Sequence, residues 1–157
     1  MTRAGADPVV VVRPAAHSDS AALDSLRRTC RAEVLGRRGG EGLVGSAAKV
    51  ADHSADRTTH TIVAEVAEAV IGFATLKPVD EAAELSELFV HPLVRGVGVG
   101  HELLVAARRL AASCGCARVD SHALPGDRAT KNFFEAHGMV TRLLVVSGPS
   151  TEADASR

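Results

Sequence analysis

A chain of 157 residues is long enough to bury one core and too short for two domains of ordinary size. Its 46% apolar and 24% charged residues are the composition of a folded globular protein, which excludes a largely disordered chain. A net charge of −1 lacks the basic excess needed to grip a phosphate backbone and so argues against a nucleic-acid partner.

The opening "MTRAGADPVVVV" has neither the charged region nor the long apolar run of a secretory leader, and no later stretch is apolar enough to span a bilayer. A cytoplasmic protein with no membrane association is expected. "VVVVRPAAHSDSAALDSLRRTC" reads as a β-branched strand followed by a helix, whose apolar stripe is Leu23, Leu26 and Cys30. "GRRGGEGLVGSAAKVADHSADRTT" is rich in Gly, Ser and charge and reads as a loop with one short helix.

"HTIVAEVAEAVIGFATLKPVDEAAELSELFVHP" carries three β-rich segments joined by a turn at Ala67 to Ala69 and a second connection at "KPVDEA", an antiparallel meander. A helix then runs from Val99 on Leu103, Leu110 and Cys114 and stops at Gly115. "ARVDSHAL" reads as a strand, "PGDRATKNFFEAHG" as a helix opened by Asp127 and closed by Gly138, and "MVTRLLVV" as a last strand. The tail "GPSTEADASR" is polar and expected to fray. The order predicts an α+β, mixed-sheet domain over 1–157, with its core at about 8–147 and a tail at 148–157. Three cysteines without a paired CxxC spacing indicate neither a disulfide framework nor a metal site, and Cys114 and Cys116 read as small apolar fillers at a helix end.

The chemistry concentrates in "LFVHPLVRGVGVGHELL". Gly96, Gly98 and Gly100 allow backbone dihedrals closed to other residues. They stand where a helix begins, so its unpaired N–H groups and dipole would make an anion site beside the permanent cation of Arg95. A plain strand-to-helix turn accounts for the same glycines. The spacing fits neither a P-loop nor a dinucleotide fingerprint, since His101 stands three residues after Gly98.

With "ELSELFVHP" before it and "FFEAHGM" after it, this stretch resembles the Gcn5-related N-acetyltransferase (GNAT) superfamily, whose signature of Arg or Gln, two residues, Gly, one residue, Gly or Ala is filled by Arg95, Gly98 and Gly100. The resemblance covers roughly residues 8 to 147. It implies a mostly antiparallel twisted sheet, splayed between its fourth and fifth strands and flanked by about four helices. It also implies acetyl-coenzyme A as co-substrate, with no metal, and direct attack by a primary amine of a small molecule or a protein. A homodimer is compatible with the family.

Carried over residue by residue, the resemblance places the thioester carbonyl at the backbone of Leu88, Phe89 and Val90. The pyrophosphate falls on Arg95, Gly96, Val97, Gly98, Val99, Gly100 and His101, with further coenzyme contacts at Asp127, Lys131 and Phe134. Asp127 reads first as a helix cap, because a carboxylate beside phosphate repels it unless Arg128 and Lys131 offset the charge. An alkylammonium must lose a proton before it attacks at neutral pH. Glu84 aligns with the family's basic carboxylate and Glu87 is the second choice. A strand places the two on opposite faces unless a bulge intervenes, and the family has a bulge here.

The chain departs from the family in its late helix, where Phe133-Phe134 replaces Phe-Tyr; it contains no tyrosine, so the usual acid for the departing thiolate is missing. Ser121, His122 and His137 are the substitutes in view. The missing acid leaves a second class of function open, a non-catalytic acyl-coenzyme A sensor.

Overall fold

The computed structural model describes residues 9–44 and 58–146. The chain divides after Gly126 into two compact units. Within the described part of the first lie β1 (Val11–Pro14), α1 (Ser20–Leu35), β2 (His60–Val66), β3 (Ala69–Val79), β4 (Ala82–Val90), α2 (Val99–Ser113) and β5 (Arg118–Ser121), with single 3₁₀ turns at His17–Asp19 and Pro92–Val94. Residues 40–44 are helical within the expected loop region, while 45–57 and the expected fraying tail lie outside the described residues.

The five strands form one sheet in sequence order. Neighbours β1 to β4 are antiparallel, and β4 with β5 is parallel, so α2 is the crossover of a strand-helix-strand unit. β2 and β3 meet through a two-residue turn, Ala67 and Glu68, with φ of 47° and 66°. This turn is one residue shorter than expected, because Ala69 already pairs with Val66. The next connection also contracts, to Asp80 and Glu81. Lys77, Pro78 and Val79 continue β3, since β2 ends its pairing at Leu76 and leaves Pro78 a strand edge where no N–H is needed.

Two helices cover the two sheet faces. Leu23 and Leu26 of α1 pack with Val63, Phe73 and Phe89 in one buried cluster. The opposite face belongs to α2: a Cβ on Gly72, next to Phe73 and so pointing the other way, would meet Leu103 Cδ1 at 3.2 Å. Leu103, Leu104 and Ala107 are fully buried there. At about 25 cal/mol per Å² of apolar area, burial of such leucines stabilises the fold by roughly 2 kcal/mol each.

One ionic knot ties the entrance of α1 to the sheet. Arg13 donates to both carboxylate oxygens of Asp19, at 2.7 and 3.0 Å, and to Glu65 Oε2 at 2.8 and 3.0 Å. Asp19 also accepts the Ala16 N–H at 2.7 Å. These bonds, Arg13 first, pull the Asp19 carboxyl from 3.8 down to about 2. The folded value lies below the unfolded one, so the stabilisation is complete above the unfolded value and is lost as pH falls through about 2. Asp19→Asn should therefore lower the melting temperature at pH 7 and flatten its decline between pH about 4 and about 2. Thermal unfolding followed by circular dichroism checks this, and an unchanged acid profile would assign the acid sensitivity to other carboxylates.

The second unit contains α3 (Arg128–Ala136). Asp127 caps it, its carboxylate accepting the Thr130 N–H at 3.1 Å and the Thr130 hydroxyl at 2.7 Å. The helix ends in a Schellman motif at Gly138 (φ 76°), with Met139 N–H donating to Phe134 O at 3.0 Å and Gly138 N–H to Glu135 O at 3.0 Å. The expected last strand is not formed. Residues 139–146 belong to no ladder among the described residues, and Leu143 to Val146 are 77 to 91% exposed. Their β-favouring composition is there, but a strand exists only with a hydrogen-bonding neighbour.

Candidate active site

The parallel pairing of β4 with β5 covers Ala82 to Leu85 only, and Ser121 Oγ donates to Leu85 O at 2.9 Å at its last pair. Beyond it, Ser86 to Val90 keep β3 on one side and, among the described residues, no strand on the other. His91 N–H donates to Ile71 O at 2.8 Å, so by the alternation of an antiparallel ladder the backbone of Phe89 also faces β3, while Leu88 and Val90 face the open edge. Val90 O confirms the direction by accepting Arg95 Nε at 2.9 Å from outside the sheet. Of the three expected backbone donors, Leu88 and Val90 thus present N–H groups at this edge.

A β-bulge lies in the same stretch. Thr75 pairs with Glu87 and Leu76 with Leu85, so Ser86 is the extra residue of β4, its Oγ donating to Thr75 O at 3.3 Å. The bulge changes the parity of the strand. Glu84 opposes Lys77 and Glu87 opposes Thr75, two residues apart on β3, so both glutamates share the face covered by α1. Their surroundings differ. Glu87 accepts the Thr75 hydroxyl at 2.8 Å, and Arg27 of α1 lies 3.7 Å away, its guanidinium over the Phe73 ring at 5.3 Å. Burial, and then the nearby Glu87 and Glu33, push the Cys30 thiol up to about 11. Glu84 instead lines an open cavity of about 690 Å³ with Asp80, Glu81, Arg118, Asp120 and His122.

The glycine turn leads into α2. Gly96 and Gly98 have φ of 84° and 90°, in the left-handed region, and a Cβ on either would meet nothing within 4 Å. Gly98 is the N-cap of α2 and provides no side-chain cap. The first intrahelical bond is Glu102 N–H to Gly98 O at 3.1 Å, so the Val99 and Gly100 N–H groups precede the helical ladder. Val97 is 67% exposed, Val99 is buried as an anchor, and the His101 side chain is on the surface. Arg95 is not aimed at this turn: it grips both carboxylate oxygens of Glu33 on α1 at 3.0 Å and stacks over Phe89 at 5.2 Å. It braces the loop against α1 and the end of β4.

Of the other expected residues, Asp127 is engaged as the cap of α3, Lys131 pairs with Glu135 at 3.4 Å, and Phe134 packs edge-on against Phe133 with ring centroids 5.4 Å apart. His137 Nδ1 lies 2.6 Å from Phe133 O and therefore carries its proton there. The Ser121 hydroxyl is spent on Leu85 O, while His122 lines the acidic cavity. Thr75, Arg27 and Glu33 went unnoticed in the sequence, because each acts through a partner that only the register or the helix packing brings near.

The sequence model of the acetyltransferase (GNAT) family matches residues 29–139. The chain belongs to this family. No curated protein sequence matches this GNAT chain. Its fold is that of solved acetyltransferases. Aminoglycoside N-acetyltransferase AAC(6')-Iy in complex with CoA superposes with a TM-score of 0.69 at 18% identity, over 90% of this chain and 99% of that one. A ribosomal-protein-alanine N-acetyltransferase from Brucella melitensis biovar Abortus 2308 gives 0.68 at 17%, over 90% and 99%. An aminoglycoside acetyltransferase from an uncultured soil metagenomic sample, in complex with sisomicin, gives 0.68 at 16%, over 92% and 97%. The expected mixed, mostly antiparallel sheet is the observed one, and the structure adds that its fourth and fifth strands pair in parallel.

Proposed function

We propose that the protein transfers an acetyl group from acetyl-coenzyme A to a primary amine by direct attack in a ternary complex. The observation that carries this reading is the continuity of three features: the open edge at Leu88 and Val90, the left-handed Gly96 and Gly98, and an α2 whose N-cap has no side chain. The coenzyme fits these residues. Open space stands where a Cβ at Gly96 or Gly98 would be, and phosphate oxygens would accept from the first N–H groups of α2. The coenzyme supplies an activated acetyl thioester. Leu88 and Val90 N–H groups would polarise its carbonyl without reorganisation.

Glu87 is the base in this proposal. It adjoins the open edge and is held by the Thr75 hydroxyl, whereas Glu84 stands where β4 is still paired with β5. Glu84, with Asp80, Glu81 and Asp120 around the same cavity, would attract a cationic acceptor. The similar structures are N-acetyltransferases by name, of an aminoglycoside and of a ribosomal-protein alanine, which supports an amine acceptor here. No tyrosine is needed if the coenzyme leaves as thiolate, since a thiol of pKa about 8.5 does so tolerably near neutral pH. Acceptor-dependent release of free thiol, across a panel of aminoglycosides, polyamines and peptides with free N-termini, tests the proposal. Turnover with any of them supports it; coenzyme binding without turnover across the panel favours the sensor reading, to which the missing tyrosine points.

A further inference from the structure

Away from the coenzyme turn, at the opposite end of α2, the chain brings a thiol and an imidazole together. Cys114, expected to be a buried filler, is exposed instead, because α2 ends at Ser113 and Cys114 is its C-cap. Cys116 alone fills the interior, at 9% exposure. The Cys114 Sγ lies 3.8 Å from Nε2 of His60, the first residue of β2, within the reach of a hydrogen bond to sulfur. His60 in turn lines a cavity of about 460 Å³ between the β1–β2 edge and α2. Arg109 lines it too, exposed and with no ion pair among the described residues, whereas the charge of Arg13 is outweighed by the two carboxylates of Asp19 and Glu65.

Two ligands are too few for a metal centre, and among the described residues no group of three His, Cys, Asp or Glu stands together. A nucleophile, a proton acceptor and an unpaired cation beside a cavity of ligand size fit a different chemistry. We propose that Cys114 is a thiol-modification site, at which His60 takes the proton and the adjoining cavity seats the carboxylate-bearing half of a low-molecular-weight disulfide.

In the step, the Cys114 sulfur attacks one sulfur of the disulfide. A new S–S bond forms as the old one breaks, and its electron pair leaves on the outer sulfur. The Cys114 proton passes to His60 Nε2 and then to the departing thiolate. Cys114 is oxidised, half of the reagent is reduced to free thiol, and the disulfide itself is the oxidant. This inference stands apart from the acetyl-transfer reading and does not need it.

The two remaining thiols are internal controls. Cys30 is half-buried with its thiol pushed up to about 11, and Cys116 is buried. With glutathione disulfide as probe, intact-mass and peptide-mapping time courses on the full chain should show one addition, at Cys114, at least about tenfold faster than at Cys30 or Cys116. His60→Gln, with folding checked by circular dichroism, should slow it about tenfold, since the base is removed. Arg109→Ala should slow glutathione disulfide about threefold and leave the uncharged hydroxyethyl disulfide unchanged. Should His60→Gln not fold, the native chain decides. Its preference for the charged reagent over the neutral one must fall as salt is raised. Modification of Cys114 no faster than that of Cys30, an unchanged rate in folded His60→Gln, or a preference indifferent to charge and salt would each overturn the proposal.

Discussion

Gly98→Glu is expected to abolish coenzyme A binding while the sheet and its two covering helices stay folded. Two effects act at this position. Gly98 has φ of 90°, so any side chain there adopts a left-handed backbone at a cost of roughly 1–2 kcal/mol, although its Cβ meets no atom within 4 Å. The larger effect is charge. A carboxylate about 5 Å from a phosphate at an effective dielectric of about 20 costs about 3 kcal/mol, or more than a hundredfold in affinity. Gly98→Ala separates the two, because it keeps the strain and omits the charge: it should lower the melting temperature and weaken binding far less. Equal affinities of the Glu and Ala variants would mean that no anion sits on this turn.

Glu87→Gln is expected to lower kcat by about 100-fold to 10,000-fold while leaving the Kd for coenzyme A unchanged, the range of a lost general base. Glu84→Gln should act mainly on KM for a cationic acceptor, because its carboxylate lies in the open acidic cavity and not beside the unpaired edge of β4. Thr75→Val removes the hydroxyl that holds Glu87 Oε2 at 2.8 Å and should give a smaller loss of kcat than Glu87→Gln, with coenzyme affinity again unchanged. Steady-state kinetics with one turned-over acceptor distinguish these cases. If Glu84→Gln costs kcat and Glu87→Gln does not, the two carboxylates exchange roles.

What could be read from the chain alone follows the range of the interactions. The stretch from β4 through the glycines to α2 was legible because its signals are local: alternation, a proline after the strand, glycines before the helix. The bulge at Ser86 was legible only through the family resemblance and not in the residues themselves. An extra residue in a continuous strand leaves no compositional mark, and only the partner register shows that Glu84 and Glu87 share a face. The partner of Arg95 was equally hidden, since Glu33 lies 62 residues earlier and comes near only when α1 packs on the sheet. Residues 143 to 146 show the opposite failure. Their composition signals a strand, but β propensity describes a half-buried, paired surface, and these side chains are exposed. Cys114 misled for a simpler reason, as the helical spacing that predicts its burial runs out one residue before it.

The most direct test of the central claim is isothermal calorimetry of the folded protein with acetyl-coenzyme A and with free coenzyme A; a chain without Trp or Tyr has little intrinsic fluorescence to report binding. Saturable binding of both, weakening as salt rises, is the predicted result, because the contacts at Gly96 to Gly100 are made to phosphate. Absence of binding to either, in protein shown by circular dichroism to be folded, would contradict the account and reduce the glycine turn to a connection between β4 and α2.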